Sequence, residues 1–420
     1  MARFAWGLGA FCALVALACA GGAAAATLKL ERVVLVTRHG VRPPTETNDA
    51  LAKYAAKSWP AWPVAAGELT DHGAATVKLV GETLRRAYRA DGVLPRTGCP
   101  SAGAVQIWAD GTDQRTRRTG EVLAEALAPG CGVKAGWAPP DPRDPIFGGK
   151  LTGACALDPN QARAAVFAAA GPGGLQDETS RRALRRLQTI LAPTACSGGK
   201  GYCFKGEDTA EAGARLKLTG PLATSSSLAE DLLLEYAEGM PASQVGWGRA
   251  GSQSVIAEVM AAHERFTRLT RQNVYFAGRY GAPMARLILA ALDGAAATSD
   301  QGPALGPNSK LVDLAGHDTN LSATAGVFGL DWTLPEEPDA TAPATTLAFE
   351  LWVDPASGAR FVRPVLFYES LKQLRTLAPA NARRLVLKFQ DCASGPNGTC
   401  AMADLRRRAE AAMPTDCGPM

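Results

Sequence analysis

The sequence predicts an α/β protein with a mainly parallel sheet flanked by helices and a smaller α-helical domain inserted into it. The first observation is that three short apolar segments, residues 33–36, 105–108 and 311–315, each lead into a polar cluster. Continuous apolar runs of this length are typical of parallel strands that are buried on both faces. The second observation is the helix-like pattern of residues 150–272, which has few strand signals. We therefore expect an α/β domain over residues 27–149 and 273–420 and a helical domain over residues 150–272.

The N-terminus has the features of a secretory signal. A single charge, Arg3, precedes an apolar stretch over residues 4–18 and a run of small residues over 21–26. This pattern predicts a cleavable signal peptide over residues 1–26. The alternative is a lipoprotein acylated at Cys19, but Leu17 lies one position too close to that cysteine for the usual pattern. No later apolar run approaches the roughly 20 residues that span a bilayer, so we expect a soluble mature protein that is periplasmic or secreted.

Composition narrows the class of protein. The chain has 420 residues, 47% of them apolar, and can bury a large core. Its net charge of +4 includes Arg3, which leaves +3 for the mature chain, too little to indicate nucleic-acid or membrane binding. Eight cysteines follow the signal peptide, and an even number in an exported chain indicates disulfide bonds. Because the chain has no Cys-x-x-Cys motif and only four histidines, we expect neither a metal nor another cofactor.

The three polar clusters have the same position relative to a predicted strand. The strand over residues 33–36 leads to Arg38 and His39, residues 105–108 precede the loop 110–115 and a helical pattern over 116–127, and residues 311–315 lead to His317 and Asp318. Open α/β sheets bind ligands beyond the carboxyl ends of their parallel strands, where helix N-termini offer free N–H groups to anions. We therefore expect the clusters to form one anion-binding site. Further along, residues 346–353 and 360–368 predict a β-hairpin.

The first cluster suits a phosphate ester. Arg38 and Arg42 lie on either side of His39, and Gly40 permits the close approach of a ligand. Guanidinium groups match phosphate oxygens as bidentate donors. A neutral imidazole can attack phosphorus and form a phosphohistidine. The alternative is a surface turn with charged residues, which an Arg-His-Gly triplet alone does not exclude.

The third cluster supplies an acid. His317 offers a second imidazole to a phosphate oxygen, and Asp318 offers a carboxyl group that can protonate the departing alkoxide and later activate water. This carboxyl must be protonated when substrate binds, and a nearby dianion raises its pKa, so activity at acid pH is expected. The alternative role of Asp318 is to cap the helix that follows. Arg115, at the end of the second cluster, is predicted to be a third arginine for the phosphate.

The other basic residues near these motifs have simpler interpretations. Arg117 and Arg118 are expected on the exposed face of the helix that follows Arg115. His72 lies near a predicted helix start and is expected to be structural. His263, within the helix-like residues 252–269, is expected to face solvent.

Together the motifs resemble those of the histidine acid phosphatases, a branch of the phosphoglycerate-mutase-like superfamily with an Arg-His-Gly-x-Arg-x-Pro loop and a distant His-Asp pair. The resemblance extends over nearly the whole mature chain. It is closest to the bacterial periplasmic phytases and acid phosphatases, through residues 59–63, 246–249, 316–320 and 331–335. It implies the phosphoglycerate-mutase-like α/β fold with a helical domain beside it and a site between the two.

The resemblance also implies roles for individual residues. It assigns His39 as the nucleophile and Asp318 as the proton donor, with no metal in the reaction. The phosphate ligands that it implies are Arg38, Arg42, Arg115 and His317. The disulfide bonds that it implies are Cys99–Cys131, Cys155–Cys417, Cys196–Cys203 and Cys392–Cys400.

Departures from the phytase pattern bear on the substrate. Glu46, next to Thr45, stands where bacterial phytases commonly carry a lysine that helps to hold inositol phosphates, and a carboxylate there disfavours a polyanion. Tyr280 aligns where an arginine is typical, with Arg279 beside it. Glu230 aligns with an acidic residue that lines the pocket of the family. The candidate substrate pocket therefore consists of Thr45, Glu46, Glu230 and Arg279.

These features leave an order of preference among functions. We expect a phosphatase that hydrolyses phytate (inositol hexakisphosphate), because Thr319 follows the phytase-type pattern. The alternative is a sugar phosphatase of the glucose-1-phosphatase type, which Glu46 favours. A phosphate-ester binding protein without turnover would have no need for His39 and Asp318 together. A small-molecule phosphate ester is the expected partner, and a monomer is the expected state.

Overall fold

The computed structural model describes Met1 and residues 28–415, except for 153–154, 214–215, 297–301 and 379–380. The predicted signal peptide, apart from Met1, lies outside the described residues, and so does Cys417.

The described chain alternates strands and helices. The strands are β1 (Lys29–Arg38), β2 (Val105–Ala109), β3 (Ala135–Trp137), β4 (Thr209–Ala212), β5 (Leu216–Thr219), β6 (Leu311–Gly316), β7 (Thr346–Val353), β8 (Arg360–Tyr368), β9 (Arg383–Val386) and β10 (Cys400–Ala401). The α-helices are α1 (Asn48–Leu51), α2 (Asp71–Ala90), α3 (Gln114–Leu127), α4 (Pro145–Thr152), α5 (Pro159–Ala170), α6 (Glu178–Leu191), α7 (Pro221–Ala237), α8 (Gln253–Thr267), α9 (Val274–Tyr280), α10 (Ala282–Asp293), α11 (Asp318–Phe328), α12 (Leu371–Thr376) and α13 (Met402–Ala412).

One mixed sheet organises the α/β part of the chain. Its strand order is β10-β8-β7-β1-β6-β2-β3, and β9 pairs with β8. The strands β1, β6, β2 and β3 are parallel to one another, whereas the hairpin β7–β8 continues the sheet in antiparallel fashion from β1. The predicted strands fall within β1, β2 and β6, and the predicted hairpin has the bounds of β7 and β8. The predicted α/β fold class is confirmed.

Alternate residues of β1 pack into two different hydrophobic layers. Val33 and Leu35 contribute to the layer that contains the buried faces of α2 and α3. Val34 and Val36 contribute to the opposite layer, which contains α10, α11 and α13. A strand covered by helices on both faces has no solvent side, which explains why the sequence of β1 is continuously apolar instead of alternating.

Residues 159–272 contain α5 to α8 and, among the described residues, contribute no strand to the main sheet. They add only the two-stranded hairpin β4–β5. Leu187 of α6, Leu232 of α7 and Ile256 of α8 belong to a hydrophobic cluster separate from the two layers of the sheet. We propose on this basis that residues 150–272 form the helical domain expected from the sequence. After α8, the chain continues as a π-helical segment, Arg268–Gln272.

Three of the four expected disulfide bonds are formed: Cys99–Cys131, Cys196–Cys203 and Cys392–Cys400. The fourth, Cys155–Cys417, includes a residue outside the described part of the chain. Of the helices described, none is both long enough and apolar enough to cross a membrane.

Candidate active site

The three polar clusters meet at the carboxyl ends of three neighbouring parallel strands. Arg38, the last residue of β1, pairs in register with Gly316, the last residue of β6. The backbone N–H of His39 donates to the carbonyl of Gly316 at 3.0 Å. On the other side of β6, the N–H of Asp110 donates to the carbonyl of Ala315, also at 3.0 Å. The strand register therefore fixes the three loops relative to one another, as the sequence predicted.

His39 is held in one orientation and one protonation state. Its side chain is 1% exposed, and Nδ1 lies 2.8 Å from the carbonyl oxygen of Gly40. Because a carbonyl only accepts, Nδ1 carries the proton and Nε2 carries the lone pair. Burial, followed by the positive charges of Arg115, Arg42 and Arg38, holds the pKa of His39 well below its usual value. The imidazole thus stays neutral, and nucleophilic, in acid.

The loop that follows His39 packs tightly on the start of α2. A Cβ atom on Gly40 would lie 2.2 Å from the carbonyl oxygen of Gly73, and one on Gly73 would lie 2.1 Å from that of Val41. Side chains at either glycine would therefore separate the loop from the helix. These two glycines bring the backbone of the loop into direct contact with α2 and fix where His39 stands.

Three arginines surround His39, and two of them share a carboxylate. Arg38 is fully buried and pairs with Glu230 and, at 2.8 Å, with Asp339. Arg42 lies 3.5 Å from the other oxygen of Glu230. Arg115 is held by Asp113 at 3.0 Å. Burial raises the pKa of Glu230, but the charges of Arg42 and Arg38 outweigh it and lower the pKa overall. The guanidinium groups are therefore ordered by carboxylates before any phosphate binds.

His317 lies opposite His39 and is oriented by two aspartates. The two imidazole rings are 5.6 Å apart in an edge-to-face arrangement. Nε2 of His317 lies 2.9 Å from Asp110 and 3.5 Å from Asp113. Burial raises the pKa of Asp110, but the hydrogen bond and charge of His317, together with the N–H of Thr112, lower it to about 2. Asp110 therefore remains ionised, and an acceptor for His317, in mild acid.

Asp318, the first residue of α11, forms an ion pair with Arg271 of the π-helical segment. Burial raises the pKa of Asp318, but the charge of Arg271, followed by those of Arg38 and His263, brings it well below its ordinary value. Asp318 is therefore ionised in the unliganded protein. Neither Arg271 nor Asp339 was identified from the sequence, because each is an isolated residue that meets the site only through tertiary contacts.

The expectation that His263 faces solvent is wrong. Its side chain is 2% exposed, and Nδ1 lies 3.1 Å from the carbonyl oxygen of Ser226 in α7. The reason is that His263 lies on the side of α8 that also buries Val259 and Met260 and that packs on α7. The three- and four-residue spacing of these positions was the signal that could have identified His263 as buried.

A cavity of about 340 Å³ opens beside the arginines. Three of the predicted pocket residues, Thr45, Glu46 and Glu230, line it, together with Arg42. The fourth, Arg279, is not brought into this group. Its guanidinium lies 3.8 Å from the ring centre of Tyr275, and its Nε donates to the carbonyl of Ala156. The structure thus places three of the four predicted pocket residues around one cavity.

Comparison with known proteins identifies the family. Residues 29–193 match the sequence model of the histidine phosphatase superfamily, branch 2. Over 369 residues the chain is 34% identical to Phytase AppA of Escherichia coli K12, an alignment that covers 84% of this chain and 83% of the relative. The chain belongs to the histidine phosphatase superfamily. The resemblance that the sequence motifs indicated is thereby confirmed, and this histidine phosphatase is a phosphomonoester hydrolase.

A glucose-1-phosphatase and two phytases of known structure are also similar to this histidine phosphatase. It is 26% identical over 395 residues to a glucose-1-phosphatase of Salmonella typhimurium, covering 89% of this chain and 90% of the relative. Among solved structures, the Hafnia alvei phytase in complex with tartrate is 32% identical, with a TM-score of 0.86 over 94% of this chain and 100% of that one. The phytase from Citrobacter braakii is 30% identical, with a TM-score of 0.84 and coverage of 94% and 100%.

Proposed function

We propose that this histidine phosphatase hydrolyses phosphomonoesters at His39 through a phosphohistidine intermediate, with Asp318 as the proton donor. The observation that carries the proposal is the neutral imidazole of His39, whose Nε2 lone pair is free to attack while Arg38, Arg42 and Arg115 surround it. Such an arrangement favours attack on a phosphate whose charge the arginines neutralise.

The first chemical step transfers the phosphoryl group to the protein. Nε2 of His39 forms a bond to phosphorus as the ester P–O bond breaks, and the leaving oxygen takes the proton of Asp318. In the second step, a water molecule attacks phosphorus, the P–N bond breaks, and the Asp318 carboxylate accepts the proton of the water. Arg38, Arg42, Arg115 and His317 would bind the phosphoryl oxygens in both steps.

Proton uptake accompanies substrate binding in this mechanism. Asp318 is ionised in the unliganded protein because Arg271 and Arg38 lower its pKa. A phosphate dianion nearby neutralises those charges and raises the pKa of Asp318 again. The protonated acid is therefore populated mainly at acid pH, which supports an acid phosphatase.

Substituting Asp318 by asparagine tests the role of the proton donor. Loss of a general acid lowers rates by about 10²- to 10⁴-fold when the leaving group needs protonation. We expect a loss of this size for an alkyl phosphate and a much smaller one for a 4-nitrophenyl phosphate, whose phenolate departs without a proton. The measurement is kcat for both esters with wild type and variant. Equal losses on the two esters would contradict the assignment.

Substituting Arg271 by methionine tests the electrostatic control of Asp318. Removing this cation raises the pKa of Asp318, by about 1 unit or more for a neighbouring ion pair. Since Asp318 must be protonated to act, the alkaline limb of the kcat–pH profile is expected to move to higher pH by the same amount. Arg268→Met is the matched control, because Arg268 lies on the same π-helical segment but pairs with Glu264 and Asp331. A limb that stays in place or moves to lower pH would rule out this control of Asp318.

For the substrate, we propose phytate, which the similarity to Phytase AppA and to the solved phytases supports. Glucose 1-phosphate is the second candidate, because Glu46 lines the cavity and a glucose-1-phosphatase is also a relative. Export to the periplasm and a monomeric state are further proposals, and the disulfide bonds support the first.

The deciding experiment measures phosphate release by the mature protein at acid pH with a chelator present. It compares kcat/KM for phytate, glucose 1-phosphate and an aryl phosphate. A phytate preference supports the phytase proposal, and a preference for glucose 1-phosphate replaces it with the sugar-phosphatase one. The chelator matters because Asp110, Asp113 and His317 place three potential ligand atoms within 4.8 Å of one another. Loss of activity with chelator would overturn the metal-free mechanism.

A further inference from the structure

The cavity beside the arginines is lined by one cation and three acidic side chains. Arg42 is the only arginine or lysine among its lining residues, all of which the structure describes. The other charged lining residues are acidic: Glu46, Glu230, which pairs with Arg38 and Arg42, and Asp231. The phosphate to be cleaved would thus meet cations, whereas the leaving group would extend into a region whose charged side chains are carboxyls.

Asp231 differs from the other acids of α7 in having no partner among the residues that the structure describes. Its side chain is 5% exposed. Glu230 pairs with Arg38 and Arg42, and Glu235 accepts the backbone N–H of Gly246 at 2.9 Å. Asp231, in contrast, forms no hydrogen bond or ion pair with any residue within the described ranges. This carboxyl borders an open cavity, where a ligand can supply a hydrogen-bond partner.

Three of the four charges that act most strongly on Asp231 are negative. Burial, followed by the charge of Glu230, raises the pKa of Asp231 well above its ordinary value; Arg42 opposes the rise, and Glu235 and Glu46 add to it. The neighbouring elements add further titratable or charged side chains. His263 of α8 contacts Ser226 of α7, and Tyr54 lines the cavity. Lys217 lies on β5, and Arg375 of α12 donates to the carbonyls of Tyr236 and Met240. Within this group, Arg42 is the cation that acts on Asp231 most strongly.

We propose that Asp231, together with Glu46, determines substrate specificity by the charge of the leaving group. As a neutral carboxyl, Asp231 donates a hydrogen bond to a hydroxyl or phosphate oxygen of the leaving group. As a carboxylate, it repels leaving groups that carry further phosphates. The proposal rests on the proposed phosphatase function and deepens it: polyphosphorylated substrates are accepted in acid and rejected as pH rises, whereas singly phosphorylated alcohols are retained.

The test compares two substrates across pH 4 to 7. For wild type and Asp231→Asn, kcat/KM is measured for phytate and for glycerol 2-phosphate, whose leaving group is neutral and hydroxylated. For each protein, kcat/KM for phytate is divided by kcat/KM for glycerol 2-phosphate. Dividing the wild-type ratio by the variant ratio then cancels the titration of the substrates themselves. If one proton on Asp231 is required, this quotient falls by up to about tenfold per pH unit once Asp231 ionises. Glu121→Gln, an exposed charge change on α3, is the matched control and should follow wild type.

The two-substrate comparison distinguishes failure of the Asp231 proposal from failure of the phosphatase function. A quotient that stays constant with pH overturns the role of Asp231 while leaving the phosphatase function intact, because both substrates are still hydrolysed. Absence of phosphate release from either substrate by wild type contradicts the phosphatase function instead. If Asp231→Asn does not fold, as judged by circular dichroism, the exposed Glu46→Gln decides: it should raise the phytate-to-glycerol 2-phosphate ratio at pH 6 to 7, and an unchanged ratio overturns the proposal.

Discussion

Replacing His39 by alanine is expected to lower kcat for every phosphomonoester by about four orders of magnitude or more, the size of loss that follows removal of a catalytic nucleophile. The physical reason is that the substitution removes the Nε2 lone pair while leaving the phosphate-binding arginines in place. The variant should therefore still bind phosphate although it no longer hydrolyses phosphomonoesters at a comparable rate. The measurement is steady-state phosphate release, together with binding of inorganic phosphate to the variant by calorimetry.

The same substitution should abolish the covalent intermediate. When ³²P-labelled substrate is mixed with wild type and quenched in alkali, we expect label on the protein that acid releases, as the P–N bond of a phosphohistidine requires. His39→Ala should carry none. His72→Ala serves as control, because His72 contacts the carbonyl of Leu374 and takes no part in the site. Label that survives in His39→Ala would move the nucleophile to another residue.

The second large effect is expected in stability, which should be greatest in acid and fall as pH rises from about 5 to 8. Burial raises the pKa of several carboxyls: Asp144 to about 6, Asp313 to about 7, and Glu235 and Glu369 to about 8. In an unfolded chain these groups ionise near pH 4. Between the two values the native state binds more protons than the unfolded state, so the free energy of unfolding decreases with pH.

Other groups act in the opposite direction. The pKa of His39 is lowered in the native state, so below about pH 6.5 the unfolded state binds a proton that the native state does not. The free energy of unfolding therefore decreases as pH falls below about 6.5. Asp110 and Asp318, whose pKa values are lowered, stabilise the fold above about pH 4 and lose that contribution below it. Between pH 5 and 8 the four buried carboxyls outnumber His39. We expect a net loss of several kcal/mol, at about 1.4 kcal/mol per pH unit for each group still protonated in the native state.

Glu369 offers a direct test of this stability profile. Both of its carboxylate oxygens are buried without a hydrogen-bond partner in the described structure. Glu369→Gln should make the dependence of unfolding free energy on pH shallower between pH 5 and 8, measured by urea denaturation at each pH. Glu410→Gln, an exposed change on α13, should keep the wild-type slope. A wild-type stability that is flat or rises over this range would contradict the buried-carboxyl account.

The sequence predicted those parts of the fold that have a local pattern. The apolar runs of β1, β2 and β6 and the hairpin β7–β8 carry their own hydrophobic signal, and the polar clusters follow the strands directly. The short strands β3, β4 and β5 carry too few residues to show one, and they form because a neighbouring strand pairs with them. Pairings between distant segments, such as Arg271 with Asp318, have no sequence signature at all.

The candidate site was predictable to the same degree. His39, Arg38, Arg42, Arg115, His317 and Asp318 could be proposed because their residue types suit phosphate chemistry, and the structure brings them together. Asp339 and Asp231 could not be proposed, since only tertiary packing shows which charges face which. His263 lies between these two cases, because its helical spacing from Val259 and Met260 could have shown that it is buried.

The position of β6 has a consequence for how the protein acquires its shape during synthesis. This strand lies between β1 and β2, yet residues 110–310 separate it from β2 along the chain. A nascent polypeptide that has emerged only as far as the helical segment cannot join β1 to β2, and their pairing edges remain open. The parallel part of the sheet can therefore assemble only after Gly316 has been translated, which makes its central strand pairings late events in folding.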